Sequence, residues 1–176
     1  MTICLIRHGD AVSRLRWGSQ DDLLRPLTDV GRYQASDIVG MVQTIGVEAI
    51  RTSPCRRCIE TVAPLAAAIG LSAKIDDRLA EGPAKRALHL VRALASEGTH
   101  AALCSHGDVI PEILAMLAEA DGVAFGVAPR CQKGSVWVLD ADPDGKIVTG
   151  RYLEPKKHGF RIDRRGPAGV EQVNSR

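Results

Sequence analysis

The 176 residues are 45% hydrophobic and 25% charged, ordinary proportions for a single water-exposed globular domain with a core of its own. A formal net charge of +2 argues against a nucleic-acid or membrane-surface protein, and Arg, Asp, Gln or Glu interrupts every apolar run before it reaches membrane-spanning length. No basic stretch followed by an apolar segment opens the chain, so the expected compartment is the cytoplasm, and five cysteines fit free thiols better than a disulfide framework.

An apolar run at residues 3–6 predicts a buried strand that ends at Arg7, and a polar loop spans residues 9–27. Thr28 is placed to cap a helix running to about residue 44, closed by Gly46. Residues 47–52 read as a second strand. Ser53-Pro54 then reads as a helix start, with serine as cap and proline in the first position. Ile59, Val62, Leu65, Ala66 and Ile69 give that helix an apolar face, and Gly70 ends it.

Residues 71–75 read as a short strand, residues 76–83 as irregular, and residues 84–96 as a helix stopped by Gly98. A fourth strand at 100–105 leads to a fourth helix at 108–119, with Pro111 tolerable in its first turn. A loop at 120–134 precedes a strand at 136–139, and Asp142-Pro143-Asp144-Gly145 turns it into an antiparallel hairpin with residues 146–153. The alternation of strands and helices predicts an α/β fold with a mostly parallel sheet covered on both faces. Residues 1–155 are expected to form one domain. Residues 156–176 are expected to form a mobile basic tail, solvated rather than bound to nucleic acid.

Two of these strands end in the same way, in Arg7-His8-Gly9 and in Ser105-His106-Gly107. In open α/β sheets, ligands bind at the carboxyl ends of the strands. Phosphoryl transfer needs a nucleophile, donors for charge on the phosphoryl oxygens, and an acid for the leaving group. A neutral imidazole, with an unperturbed pKa of about 6.5, suits the first task. His8 is the expected nucleophile, its other ring nitrogen held by a backbone carbonyl. Gly9 and Gly107 allow sharp exits and close backbone approach.

Arg7 and Arg57 offer planar forks for phosphate oxygens, Arg57 from the first turn of its helix, where free amides also favour an anion. His106 is expected to stabilise the transferring group. Glu81 is the preferred general acid, with Asp108 as runner-up or as a mere helix cap. Asp10 and Thr28 are candidates for supporting hydrogen bonds or for purely structural roles. Cys55 and Cys58 have the spacing of a redox pair or half a zinc site, but no second cysteine pair accompanies them.

On these blocks the chain resembles the histidine phosphatase superfamily, with its phosphoglycerate-mutase-like fold. Arg7-His8-Gly9 matches its signature. Ser53-Pro54 with Arg57, Glu60 and Thr61 matches the second block, Leu79 and Glu81 the acid region, and Ser105-His106-Gly107 the second histidine. Within the family, Asp10-Ala11 followed by Arg25-Pro26-Leu27-Thr28 and Gly31 is most similar to the small SixA-type phosphohistidine phosphatases. It is similar too to the phosphatase-like domain that follows a Nudix domain in some actinobacterial proteins. The resemblance covers roughly residues 1–153. It implies a three-layer α/β/α sandwich, a covalent phosphohistidine on His8, and no metal or other cofactor.

The resemblance implies that mutases carry long helical insertions over the pocket. With one predicted helix between Glu81 and His106 the lid should be small or absent, which by that analogy favours a phosphatase. Three readings stay open. The first is a phosphatase acting on a phosphohistidine-bearing protein, and the second a phosphatase of small phosphate esters or nucleotides. The third is a phosphate-binding module without turnover.

Overall fold

Side chains of the first strand, β1 (Thr2–Arg7), alternate between two buried clusters: Ile3 and Leu5 enter one, Cys4 and Ile6 the other. A strand buried on both faces belongs in the middle of a covered sheet. That is its place in the computed structural model, which describes residues 1–126 and 130–156. Six strands lie in the order β3-β2-β4-β1-β5-β6, where β2 is Ala49–Thr52, β3 Ala73–Ile75, β4 Ala101–Ser105, β5 Val136–Ala141 and β6 Ile147–Leu153. The pairings β3-β2, β2-β4 and β4-β1 are parallel. β5 runs antiparallel to both β1 and β6.

The long helices are α2 (Asp29–Val42), α3 (Arg56–Ile69), α4 (Lys85–Ser96) and α5 (Val109–Asp121), after a four-residue α1 (Arg14–Trp17) in the first loop. α2 and α3 bury Ile38, Val42, Val62 and Leu65 against Cys4, Ile6, Ala102 and Cys104. α4 and α5 bury Leu88, Val91, Ile110, Ile113 and Leu114 against Ile3, Leu5, Leu103 and Trp137. The result is the expected three-layer α/β/α arrangement. Among the described residues no helix is long and apolar enough to cross a membrane.

Thr28 caps α2 as expected, accepting a hydrogen bond from Gly31 N at 3.2 Å. α3 departs from expectation at its start. It begins at Arg56 with Cys55 as cap, and Ser53 is not the capping residue. The Ser53 hydroxyl is instead 2.8 Å from His106 Nε2, so a partner across the sheet edge outcompetes the local cap. The apolar face of α3 is as expected at Val62, Leu65, Ala66 and Ile69 and departs from expectation only at Ile59. Ile59 is exposed, while Cys58, Thr61, Val62, Leu65 and Ala66 are buried. Asp108 occupies the N-cap position of α5 but makes no side-chain capping bond, so the helix-cap reading of that residue fails. Of the expected tail, residues 157–176 lie outside the described residues.

Candidate active site

Strand register builds the site. The parallel pair β1-β4 sets Arg7 opposite Ser105, so the next residues on each strand, His8 and His106, emerge side by side at the carboxyl edge. His8 N donates to Ser105 O at 3.1 Å and locks the two exits together. On the other side of β4, Thr52 pairs with Cys104 and Ser53 N donates to Cys104 O at 3.0 Å, bringing the start of α3 to the same edge. The ring centroids of His8 and His106 are 5.3 Å apart, at 65° to one another.

Each imidazole has one nitrogen already occupied. His8 Nδ1 lies 2.7 Å from its neighbour's carbonyl, Gly9 O, so Nδ1 carries the proton and Nε2 is left with its lone pair. His106 Nε2 faces Ser53 Oγ, which leaves Nδ1 facing Arg57 Nη2 at 3.5 Å and Glu81 Oε1 at 3.6 Å. Arg57 is fully buried for a guanidinium, held by Asp22 through its Oδ2 at 3.0 Å and its carbonyl at 2.9 Å, and by Glu81 Oε1 at 3.1 Å. Arg7 Nη1 donates to the carbonyl of Cys131. Nε of Arg7 and Nε of Arg57 are both buried with no hydrogen-bond partner among the described residues. A buried donor left unpaired costs about 1–3 kcal/mol. Two such donors beside two imidazoles mark a place suited to an anion.

The glycines serve packing inside the protein. A Cβ on Gly107 would stand 2.5 Å from Arg7 Cζ, so that glycine makes room for the guanidinium. A Cβ on Gly9 would stand 2.7 Å from Gly31 O, and one on Gly31 only 2.0 Å from Asp10 O. The close approach expected of Gly9 is thus to the first turn of α2. Asp10 accepts from Thr28 Oγ1 and from Lys133 Nζ, both at 2.7 Å, and its own N–H donates to Gln34 Oε1 at 2.7 Å. Gly9 N donates to Thr61 Oγ1 at 3.0 Å, tying the His8 turn to α3. Asp10 and Thr28 therefore brace the His8 loop from behind.

Of the two acid candidates, Glu81 lies among the histidines and arginines. Asp108 accepts from Gly82 N at 3.0 Å and so steadies the segment that carries Glu81. Sequence reasoning missed three partners. Arg14 Nη2 contacts both carboxylate oxygens of Glu81, at 3.0 and 2.8 Å, Asp22 holds Arg57, and Ser53 holds His106. Only Ser53 carried a signal, its place one residue after a strand that pairs with β4.

Burial pushes the His8 imidazole down to about 3, helped by the positive groups His106, Arg57 and Arg7 and opposed by the Gly9 carbonyl. His8 is therefore neutral at any physiological pH. For His106 burial also pulls downward, but hydrogen bonds and charge from Cys55 and Cys58 more than offset it and raise the group to about 9. Asp22 is held down to about 2, first by its hydrogen bond to Arg25, against burial, and then by Arg57 and Arg14. Burial thus keeps His8 neutral while the partners of His106 hold its proton more firmly, which pairs an electron-pair donor with a proton donor.

The sequence model of the histidine phosphatase superfamily (branch 1) matches residues 3–84, the stretch that carries His8, Arg57 and Glu81. Over that stretch the chain carries the sequence pattern of the histidine phosphatase superfamily. A relative in sequence is the 8-oxo-(d)GTP phosphatase of Mycolicibacterium smegmatis, 30% identical over 158 residues. That match takes in 88% of this chain and 48% of the relative, so the chain spans about half the length of that protein. Solved structures share the fold. The protein histidine phosphatase SixA complexed with tungstate superimposes with a TM-score of 0.69 at 22% identity, over 88% of this chain and 95% of that one. The mycobacterial glucosyl-3-phosphoglycerate phosphatase complexed with VO3 gives 0.61 at 18% identity, over 79% and 92%.

Proposed function

We propose that the protein is a phosphatase that hydrolyses phosphomonoesters or phosphohistidine, without a metal, through a covalent phosphohistidine on His8. His8 Nε2 attacks phosphorus, and the bond from phosphorus to the leaving group breaks with its electron pair on the leaving atom. Glu81 supplies the proton for that atom. Arg7, Arg57 and His106 hold the phosphoryl oxygens and take up charge as the transition state forms. Water then attacks the phosphohistidine with Glu81 as base, releasing inorganic phosphate and returning neutral His8.

The observation that carries this reading is the fixed tautomer of His8: Nδ1 bonds the Gly9 carbonyl and Nε2 remains free beside His106. The orphaned Nε donors of Arg7 and Arg57 add support. The only helix between Glu81 and His106 is α4, whose buried face packs into the core, so no helical insertion covers the site between them. Water access favours hydrolysis over transfer to a second substrate.

A nucleotide or other small phosphate ester is the second reading, and the Mycolicibacterium smegmatis relative, named for action on 8-oxo-(d)GTP, favours it. The test is a turnover panel of nitrophenyl phosphate, nucleotides and a phosphohistidine-bearing protein, run with the wild type and with His8→Ala. Turnover that disappears in the variant is expected. Tungstate binding with no turnover of any substrate would instead make the protein a phosphate-binding module.

A further inference from the structure

Glu81 is gripped from two sides. Arg14 Nη2 reaches both of its oxygens, while Oε1 also lies 3.1 Å from Arg57 Nη2 and 3.6 Å from His106 Nδ1. Three donors from three separate segments converge on one carboxylate, which sits where an external anion would sit. Arg57 and His106 are fully buried, so an anion that reaches them must take the place of the Glu81 carboxylate.

Arg14 differs from the inner two. Its side chain is 66% exposed, and α1, the helix that carries it, buries none of its residues. Arg14 Nε also lies 3.5 Å from Asp22 Oδ1, but exposed ion pairs of this kind contribute little stability, so neither Asp22 nor Glu81 accounts for a guanidinium at this point. Its place at the outer edge of the anion cluster is what sets it apart.

We propose that Arg14 is a specificity-determining residue that binds a second anionic group next to the transferring phosphoryl, so that the site favours substrates ending in a diphosphate. This rests on the phosphatase reading above. With the terminal phosphoryl on Arg57 and His106, Glu81 takes up a proton and turns its carboxyl to the bridging oxygen, and Arg14 exchanges that group for the next phosphate. A guanidinium fork matches phosphate oxygens as well as carboxylate oxygens, so the exchange keeps its hydrogen bonds. The bond that breaks is the phosphoanhydride P–O bond. Its electron pair stays on the departing phosphate, where Arg14 neutralises the added charge, and phosphorus becomes bonded to His8 Nε2.

The test separates binding from turnover. In a His8→Ala background, calorimetry with inorganic pyrophosphate and with orthophosphate gives the ratio of the two affinities. Adding Arg14→Ala should lower that ratio about tenfold, and Arg14→Lys should recover part of it. With His8 intact, Arg14→Ala should lower kcat/KM for a nucleoside diphosphate about tenfold relative to nitrophenyl phosphate. If Arg14 merely positions Glu81, both anions and both substrates change alike. An unchanged ratio, with the wild type still turning over nitrophenyl phosphate, overturns the Arg14 assignment and leaves the phosphatase reading standing. Neither anion binding nor turnover by the wild type removes that reading, and the Arg14 assignment with it.

Discussion

Replacing His8 by asparagine should remove a pH dependence of stability that the natural chain carries. The imidazole is 6% exposed, and burial first, then the neighbouring positive groups, push it down to about 3. In the unfolded chain the same group titrates near 6.5. A histidine lowered in this way is protonated first in the unfolded state. Its contribution to stability is therefore complete above about pH 6.5 and is lost progressively as the pH falls toward 3. Each pH unit inside that window is worth about 1.4 kcal/mol, so moving from about pH 7.5 to about pH 5 should cost about 2 kcal/mol. Urea unfolding of the wild type and of His8→Asn at both pH values isolates the effect, because Asp10, Asp22 and the other titrating groups are common to both proteins. The wild type should lose about 2 kcal/mol more than the variant over that interval. Parallel losses in the two proteins would mean that His8 titrates normally, and the neutral buried nucleophile would have to be abandoned.

Arg57→Lys should lower kcat/KM for nitrophenyl phosphate about a hundredfold, since an ammonium cannot keep both Asp22 and Glu81 while meeting phosphate oxygens; steady-state rates equal to wild type would place Arg57 outside the reaction. Glu81→Gln should slow alkyl phosphates, which need a protonated leaving oxygen, far more than nitrophenyl phosphate, whose leaving group does not. Equal slowing of the two esters would count against Glu81 as the acid. Gly31→Ala should lose about 3 kcal/mol in denaturant unfolding, because the added Cβ would stand 2.0 Å from the Asp10 carbonyl oxygen, backbone against backbone. An unchanged midpoint would show that the close packing of the His8 loop on α2 is not needed.

Much of this architecture is legible in the sequence because its signals are local. β1 and β4 are short apolar runs, each ending in a histidine and a glycine, and parallel pairing then forces the two histidines together. Thr28 and Gly70 mark helix ends because capping chemistry depends on near neighbours. The failures are contacts made at a distance. Ser53 has the chemistry of a cap, but His106 claims its hydroxyl from across the sheet edge, and the helix starts later. Ile59 falls on the wrong side because the buried face of α3 is set by Arg57, Cys58 and Thr61, which turn toward the site rather than toward solvent. Arg14 and Asp22 lie in a loop without periodicity, and nothing in their spacing points to Glu81 or Arg57. Their pairing depends on how residues 9–27 fold back over the strand ends, which is a tertiary fact.

The most direct check is a rapid-quench reaction with a phosphate-labelled ester, followed by mapping of the label on the protein. During turnover, label should collect on His8 as an alkali-stable, acid-labile adduct, and His8→Ala should collect none. Label on another side chain, or release of phosphate with no covalent adduct at any time, would contradict nucleophilic attack by His8 Nε2.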